Sequence, residues 1–385
     1  MTPRTHTLGP ALLFSLSLLV FLIPTLAAAA CPAPGEWRDA SGQRLSPDRL
    51  FEDAASAQVV LLGERHDRLE HHRWQLHTLA ALHAQRPDMV IGLEMFPRES
   101  QPALDAWVAD ELDEQAFLTE SDWYRAWGFD ADLYLPILHF ARMHRVPLLA
   151  INLDRSLVSR LREEGWDAVP PEERYHITPP APATEAYREA LGKIFAEHPS
   201  AHHEDADIER FVAGQQVWDR AMAAGLAKAA EQGVLAVGLM GSGHLEYGHG
   251  VPHQLRDLGI AETRVLLPRE SGADCTEPKD GLADALFGIA SHDRFEPPRP
   301  LLLGVRIDTD PAGVRIESVM PESVAADAGL EAADIVTSAA GLEVRVSRDL
   351  VTIVRRQQPG HVLPLTVLRN GEEIEILARF PADQE

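Results

Sequence analysis

Two apolar runs in this chain each end in a glycine turn with a histidine three residues on. Val59-Val60-Leu61-Leu62 leads into Gly63-Glu64-Arg65-His66, and Val234 to Met240 leads into Gly241-Ser242-Gly243-His244. Runs of this length and composition suit strands buried on both faces, as in a parallel sheet. The carboxyl ends of such strands converge on one crevice, where ligands bind. A third run, Met89-Val90-Ile91-Gly92-Leu93, ends at Glu94. Two imidazoles and a carboxylate brought to one crevice suit a metal, a metal-bearing cofactor or acid–base chemistry.

Strand and helix signals alternate through the first 290 residues, which predicts an α/β layered domain with a mainly parallel sheet. Helical spacing covers 67–85, with Pro87 as its stop, and further helices are expected at 101–109, 131–145, 207–231 and 252–258. Strands are expected at 148–151, ending at Asn152, and at 263–267. The segment 167–205 breaks the alternation with Pro170, Pro171, Pro179, Pro180 and Pro182, then His198, His202, His203, Glu204 and Asp205. It reads as an excursion from the sheet, partly helical around 186–197, of the kind that forms lids or binding segments.

The ends of the chain carry different signals. Arg4, the apolar Ala11 to Leu26 and the small residues Ala28-Ala29-Ala30 read as an export signal over residues 1–30. The periplasm or cell envelope is therefore the expected location. Only Cys31 and Cys275 are present, and an exported chain pairs cysteines in an oxidising compartment. A Cys31–Cys275 disulfide and lipid anchoring through Cys31 are the two readings. Pro-rich residues 291–300 form a linker between a 31–290 domain and a small β-rich module at 301–382. In that module Val314, Ile316 and Val319 alternate, and Asn370-Gly371 joins two further runs as a hairpin signal.

A net charge of −24 disfavours nucleic acid as a partner. H-E-x-x-H and paired C-x-x-C spacings are absent, which argues against a structural zinc. Ser242 stands in G-S-G-H rather than in a nucleophile elbow. Glu64, His66 and His71 cluster after the first strand, and His244 and Tyr247 after the last. His66, His71, His244 and Tyr247 are the candidate cofactor residues, with His66, His244 and Glu94 as the metal-ligand set. Glu64 and Glu94 would be the catalytic carboxylates if the chain is an enzyme. Asp67 is expected to cap the next helix, with Glu70 and His72 on its wet face. Trp218 and Asp219 read as packing and surface, and Gln215 could face the crevice.

The motifs V-V-L-L-G-E-R-H-D, H-H-R-W-Q, I-G-L-E-M-F, F-V-A-G-Q-Q-V-W-D-R-A-M-A and G-S-G-H-L-E-Y-G-H-G-V-P together resemble the ChaN family, whose fold is shared with the Tiki/TraB superfamily. The resemblance implies an exported haem-binding protein in iron acquisition. It also implies haem held by a tyrosine, for which Tyr175, Tyr187 and Tyr247 are candidates, between two subunits of a homodimer. A haem-delivering protein would be a partner. Tiki-type relatives imply the alternative, a metal-dependent hydrolase in which Gly63/His66, Glu94 and Gly241/His244 hold a divalent metal. The C-terminal module is similar to a PDZ domain of the HtrA type. Leu303, Gly304 and Val305 match its carboxylate-binding loop, residues 319–336 its central motif, and Ser347 to Gln357 its groove helix. Ala333 stands before Asp334 where that family often has Gly. A peptide C-terminus or partner protein would add as a strand.

Overall fold

The computed structural model describes residues 31–197, 207–271, 281–290 and 301–382. The export signal, Cys275, the His198–Asp205 run and the linker lie outside them. The chain divides into two compact units, 1–293 and 294–385.

The first unit is built on a seven-stranded sheet of order β1-β7-β6-β2-β5-β3-β4. Its strands are β1 (Trp37–Arg38), β2 (Val59–Glu64), β3 (Met89–Pro97), β4 (Leu148–Asn152), β5 (Leu235–Gly241), β6 (Thr263–Ser271) and β7 (Ala285–Ala290). All pairings are parallel except β1 against β7. Successive side chains of a strand face opposite sides, and both sides of this sheet are dry. Val60, Leu62, Ile91, Leu93, Val237 and Leu239 join one core with α1 (Pro47–Ser56), α2 (Leu69–Gln85), α3 (Gln101–Ala109), α4 (Glu114–Glu120), α5 (Trp123–Ala126) and α6 (Leu135–His144). Val59, Leu61, Val90, Ala236 and Met240 join the other core, under the long helix that follows the excursion and the short one after β5.

Helices α7 (Arg155–Glu163), α8 (Glu185–Glu197), α9 (Ile208–Ala230) and α10 (Val251–Asp257) complete the unit. Most expected elements are present within a few residues. The expected 131–145 helix begins as a 3-10 turn, Ala131–Leu133, because Pro136 fits only the first turn of the α-helix that follows. The expected Asp67 cap is not made. Arg68 is the N-cap of α2 and has no side-chain capping bond. Helices α1, α4, α5 and α7 and strands β1 and β7 carry no signal singled out from the sequence.

The second unit is antiparallel. Its path is β13-β12-β10-β9-β8, with β11 paired to β10. These are β8 (Val305–Asp310), β9 (Gly313–Val319), β10 (Ile335–Ala339), β11 (Leu342–Glu343), β12 (Val362–Arg369) and β13 (Glu372–Arg379), with α11 (Val324–Ala328) and α12 (Ser347–Arg355). Asn370 and Gly371 both have positive φ and turn β12 into β13, as the hairpin signal requires. The expected alternation is present on β9, where Val314 and Ile316 are buried. They share a core with Val336, Leu363, Leu365 and Val367.

Candidate functional site

Register places the crevice. Glu64 pairs with Gly241 across β2 and β5, and Leu93 with Leu239 across β3 and β5. The carboxyl ends of three neighbouring strands therefore carry Glu64, Glu94 and Gly241 side by side. The structure brings His66 and His244 to this point, as the paired turns imply.

Each imidazole is held by a buried carboxylate. His66 Nδ1 donates to Glu64 Oε1 at 2.7 Å, and His244 Nδ1 donates to Asp219 Oδ1 at 2.6 Å. Glu94 lies between the two rings. Its Oε2 accepts the Gly241 N–H at 2.6 Å, and its Oε1 is 3.4 Å from His244 Nε2. A Cβ on Gly241 would stand 3.0 Å from His66 Cε1 and 3.2 Å from its Nε2, so the ring's seat depends on the missing side chain. Trp127 and Phe129 pack against the His66 ring at 4.6 and 5.2 Å between centroids.

The charges are arranged to stay on. Burial opposes ionisation of Glu64, but hydrogen bonds from His66 and His72 outweigh it and hold the carboxyl well below its usual range. Burial likewise opposes charge on Glu94, and His244 outweighs it, so that its pKa is lowered. Burial would depress His244, yet Asp219 and Glu94 push it up to about 10. His66 is raised in the same way, with burial offset by Glu64 and Glu94. The crevice is thus an interlocked set of carboxylates and imidazolium rings, the compensation that buried charge needs.

Two predicted residues stand elsewhere. His71 is buried, its Nδ1 accepts the Arg65 N–H at 3.0 Å, and burial pushes its pKa down to about 4. It is a neutral packing residue that orders the turn after β2. Tyr247 is 38% exposed and its ring lies against His249, away from the clefts at the strand ends. The divalent-metal alternative finds no support: among the described residues no group of three or more His, Cys, Asp or Glu is disposed to hold an ion. The Nδ1 atoms of His66 and His244 and both oxygens of Glu94 are engaged by neighbours.

Sequence reasoning misses one residue of this network, Tyr134, and misplaces three others. His72, expected on a wet helix face, is buried with Nδ1 3.2 Å from Glu64 Oε2 and Nε2 3.1 Å from the His66 carbonyl. Asp219, expected at the surface, is fully buried as the partner of His244. The Tyr134 hydroxyl donates to Glu64 at 2.7 Å. Tyr187, a candidate iron ligand by resemblance, instead donates its hydroxyl to Asp219 at 2.8 Å. Asp219 leaves a trace in the sequence: it is an acid between Val217 and Ala221-Met222-Ala223 on the long helix.

The crevice opens into a trough. A cleft of about 640 Å³ is lined by His244, Glu94, Trp127, Trp218, Arg125 and Arg155, among others, and Gln215 faces it too. A second cleft of about 630 Å³ shares Pro97, Arg125, Ala126 and Asp154 with the first and continues to Glu99, Arg160 and Glu173. Tyr175 is 40% exposed and its hydroxyl donates at 2.7 Å to Glu99, a residue of this second cleft. Tyr175 and His176 both have left-handed backbone, a strained pairing for residues with side chains.

In the second unit, β8 is an edge strand beside α12. The carbonyls of Leu303 and Gly304 accept from Ala325 and Met320. Gly304 has φ +79°, and a Cβ there would meet Ser323 Cβ at 2.3 Å. Thr309 and Ser347 hydroxyls, 3.1 Å apart, tie the far end of β8 to the start of α12.

These features define a two-part protein: an α/β domain with a charged histidine crevice at its strand ends, and a PDZ domain with an open strand edge. The family model described as haem-binding uptake, Tiki superfamily, ChaN matches residues 50–255, and a PDZ model matches 302–378. The chain belongs to the ChaN family of haem-binding uptake proteins. Its fold is similar to that in a structure titled cofacial heme binding to ChaN of Campylobacter jejuni, at 19% identity over 65% of this chain and 95% of that one, with a TM-score of 0.52. Over 76 residues the chain is 34% identical to a probable periplasmic serine endoprotease DegP-like of Hahella chejuensis (strain KCTC 2396). That match covers 19% of this chain and only 16% of the relative.

Proposed function

We propose that this chain binds haem in the trough of its first domain, serves iron acquisition in the cell envelope, and engages a peptide C-terminus through its PDZ domain. The observation that carries the haem reading is the trough itself, with a half-exposed phenol bonded to Glu99 of its lining. Two confluent clefts within the usual volume range of ligand sites offer the indole rings of Trp127 and Trp218 to a flat apolar group. Arg125 and Arg155 line the same cleft and would pair with its carboxylates. These residues fit haem and would hold it there, and it would supply an iron able to take a phenolate oxygen.

Tyr175 is the phenol we assign to that role. Tyr187 is buried with its hydroxyl on Asp219, so it has no path to a ligand. Neither Tyr175 nor Tyr247 lines the trough itself, but the Tyr175 hydroxyl bonds Glu99 of its lining whereas the Tyr247 ring packs on His249. Burial and Glu99 push the Tyr175 pKa up to about 12, so ligation requires the proton to leave. Glu99 Oε1, which already accepts the hydroxyl hydrogen bond, is placed to receive it.

A haemin titration of the mature protein tests this. Saturable Soret growth is expected, with a phenolate-to-iron band that disappears in Tyr175→Phe and persists in Tyr247→Phe. No saturable binding would sink the haem reading, and an unchanged Tyr175→Phe spectrum would sink only the ligand assignment. Sedimentation with and without haemin reports the homodimer implied by the family.

The PDZ reading rests on the edge strand, which can accept an added strand, and on the loop at Leu303, Gly304 and Val305. For the cysteines we favour the disulfide. The chain has two cysteines and none described is free, which supports Cys31–Cys275 over lipid attachment. Intact mass before and after reduction and alkylation separates the two.

A further inference from the structure

The two histidines of the crevice are backed by matching chains of hydrogen bonds that share no residue. On one side, Tyr134 O–H and His66 Nδ1–H both donate to Glu64 Oε1, each at 2.7 Å. On the other, Tyr187 O–H donates to Asp219 Oδ2 at 2.8 Å, and His244 Nδ1–H donates to Asp219 Oδ1 at 2.6 Å. Both phenols and both carboxylates are buried. The phenols come from unrelated places: Tyr134 precedes α6, and Tyr187 lies on α8 in the excursion. We propose that Tyr134 and Tyr187 are paired positioning residues, each locking one carboxylate so that one imidazole turns Nδ1 away from the crevice and Nε2 toward it.

The physical reason is the carboxylate's freedom. A buried carboxylate that accepts only one ring N–H can rotate and let the ring flip, exchanging which nitrogen faces the ligand. A second donor from a rigid side chain removes that freedom, and such outer partners commonly fix a histidine's ring orientation. The observed endpoints agree. His244 Nε2 points at Glu94 Oε1, 3.4 Å away, and His66 Nε2 lies 3.2 Å from the place a Gly241 Cβ would take.

The arms are anchored separately. His72 adds to the Glu64 arm through contacts to Oε2 and to the His66 carbonyl. The Tyr187 arm depends on the excursion, which Arg220 pins at Thr178 and Gln216 and Gln254 pin at Ala181. The crevice thus presents two Nε2 edges, one held by the layer around α6 and one by the excursion. This inference does not depend on where haem binds.

The test uses the full chain without added ligand. Long-range 1H–15N spectra of the histidine rings, assigned with His66→Gln and His244→Gln, report the hydrogen bonding of each ring nitrogen. Tyr187→Phe is expected to move the His244 nitrogens and to raise exchange of its Nδ1–H about tenfold, the weight of one hydrogen bond, while His66 stays put. Tyr134→Phe is expected to do the reverse, and Tyr175→Phe neither. A Phe variant that leaves its own histidine unchanged, or moves both alike, overturns the proposal. If a variant does not fold, wild-type protein still decides. Slowly exchanging phenolic protons with cross-peaks to the ring N–H groups are expected, and their absence counts against it.

Discussion

Asp219→Asn removes one charge from the crevice while keeping its shape. Asp219 is fully buried and bonds His244 at 2.6 Å and Tyr187 at 2.8 Å. Raising His244 from 6.5 to about 10 represents about 5 kcal/mol of preference for the charged ring, at 1.36 kcal/mol per tenfold change. Of the two carboxylates responsible, Asp219 acts more strongly than Glu94, so its share is about 3 kcal/mol, at the lower end for breaking a buried pair. That lowers the melting temperature of the first domain by about 6–12 °C. The sign with pH follows from the two states. The folded ring keeps its proton to about pH 10 and the unfolded ring only to 6.5. The stabilisation is therefore whole below pH 6.5 and fades as pH climbs through 10. Calorimetric melts of wild type and variant between about pH 6 and 10 should show the gap widest at the acid end and closing upward. A gap independent of pH, or below about 1 kcal/mol at the acid end, would refute the paired-charge account.

Three further substitutions probe single positions. Gly241→Ala leaves the backbone comfortable, at φ −58° and ψ 136°, but sets a Cβ against the His66 ring. It should cost about 1–3 kcal/mol as overpacking and shift the His66 ring resonances, and unchanged resonances would show the ring does not depend on this glycine. Gly304→Ala meets both a positive φ and a Cβ 2.3 Å from Ser323. Anisotropy with a labelled peptide ending in an apolar residue should show its affinity for the PDZ domain falling more than about tenfold, and retained affinity would remove the loop from the groove. Ala333→Gly should instead stabilise the PDZ domain by about 1 kcal/mol, because Ala333 adopts φ +73°; a lower melting temperature would contradict that.

The strand ends are legible in the sequence because two rules act locally there. An apolar run specifies a buried strand, and a glycine followed by polar residues specifies where it stops. Both hold without knowledge of the partners, so Glu64, His66, Glu94 and His244 can be named as one site from the sequence alone. What holds them cannot. His72 reads as solvated because a histidine on a helix looks the same whether its face meets water or a carboxylate from another strand. Tyr134 and Tyr187 act from 70 and 32 residues away along the chain. No periodicity links such distant positions, and a buried tyrosine ordinarily reads as core. Asp219 is the instructive case. An aspartate and Arg220 interrupt the apolar stripe of α9, and burying both unpaired would cost more than the helix gains from packing. Such an interruption already implies partners: Asp219 found His244 and Tyr187, and Arg220 found Asp257 and Thr178. The same argument applies to Ala333. Its residue type departs from the glycine its motif favours, while the turn keeps the left-handed geometry, so the fold imposes the conformation and the residue bears the strain.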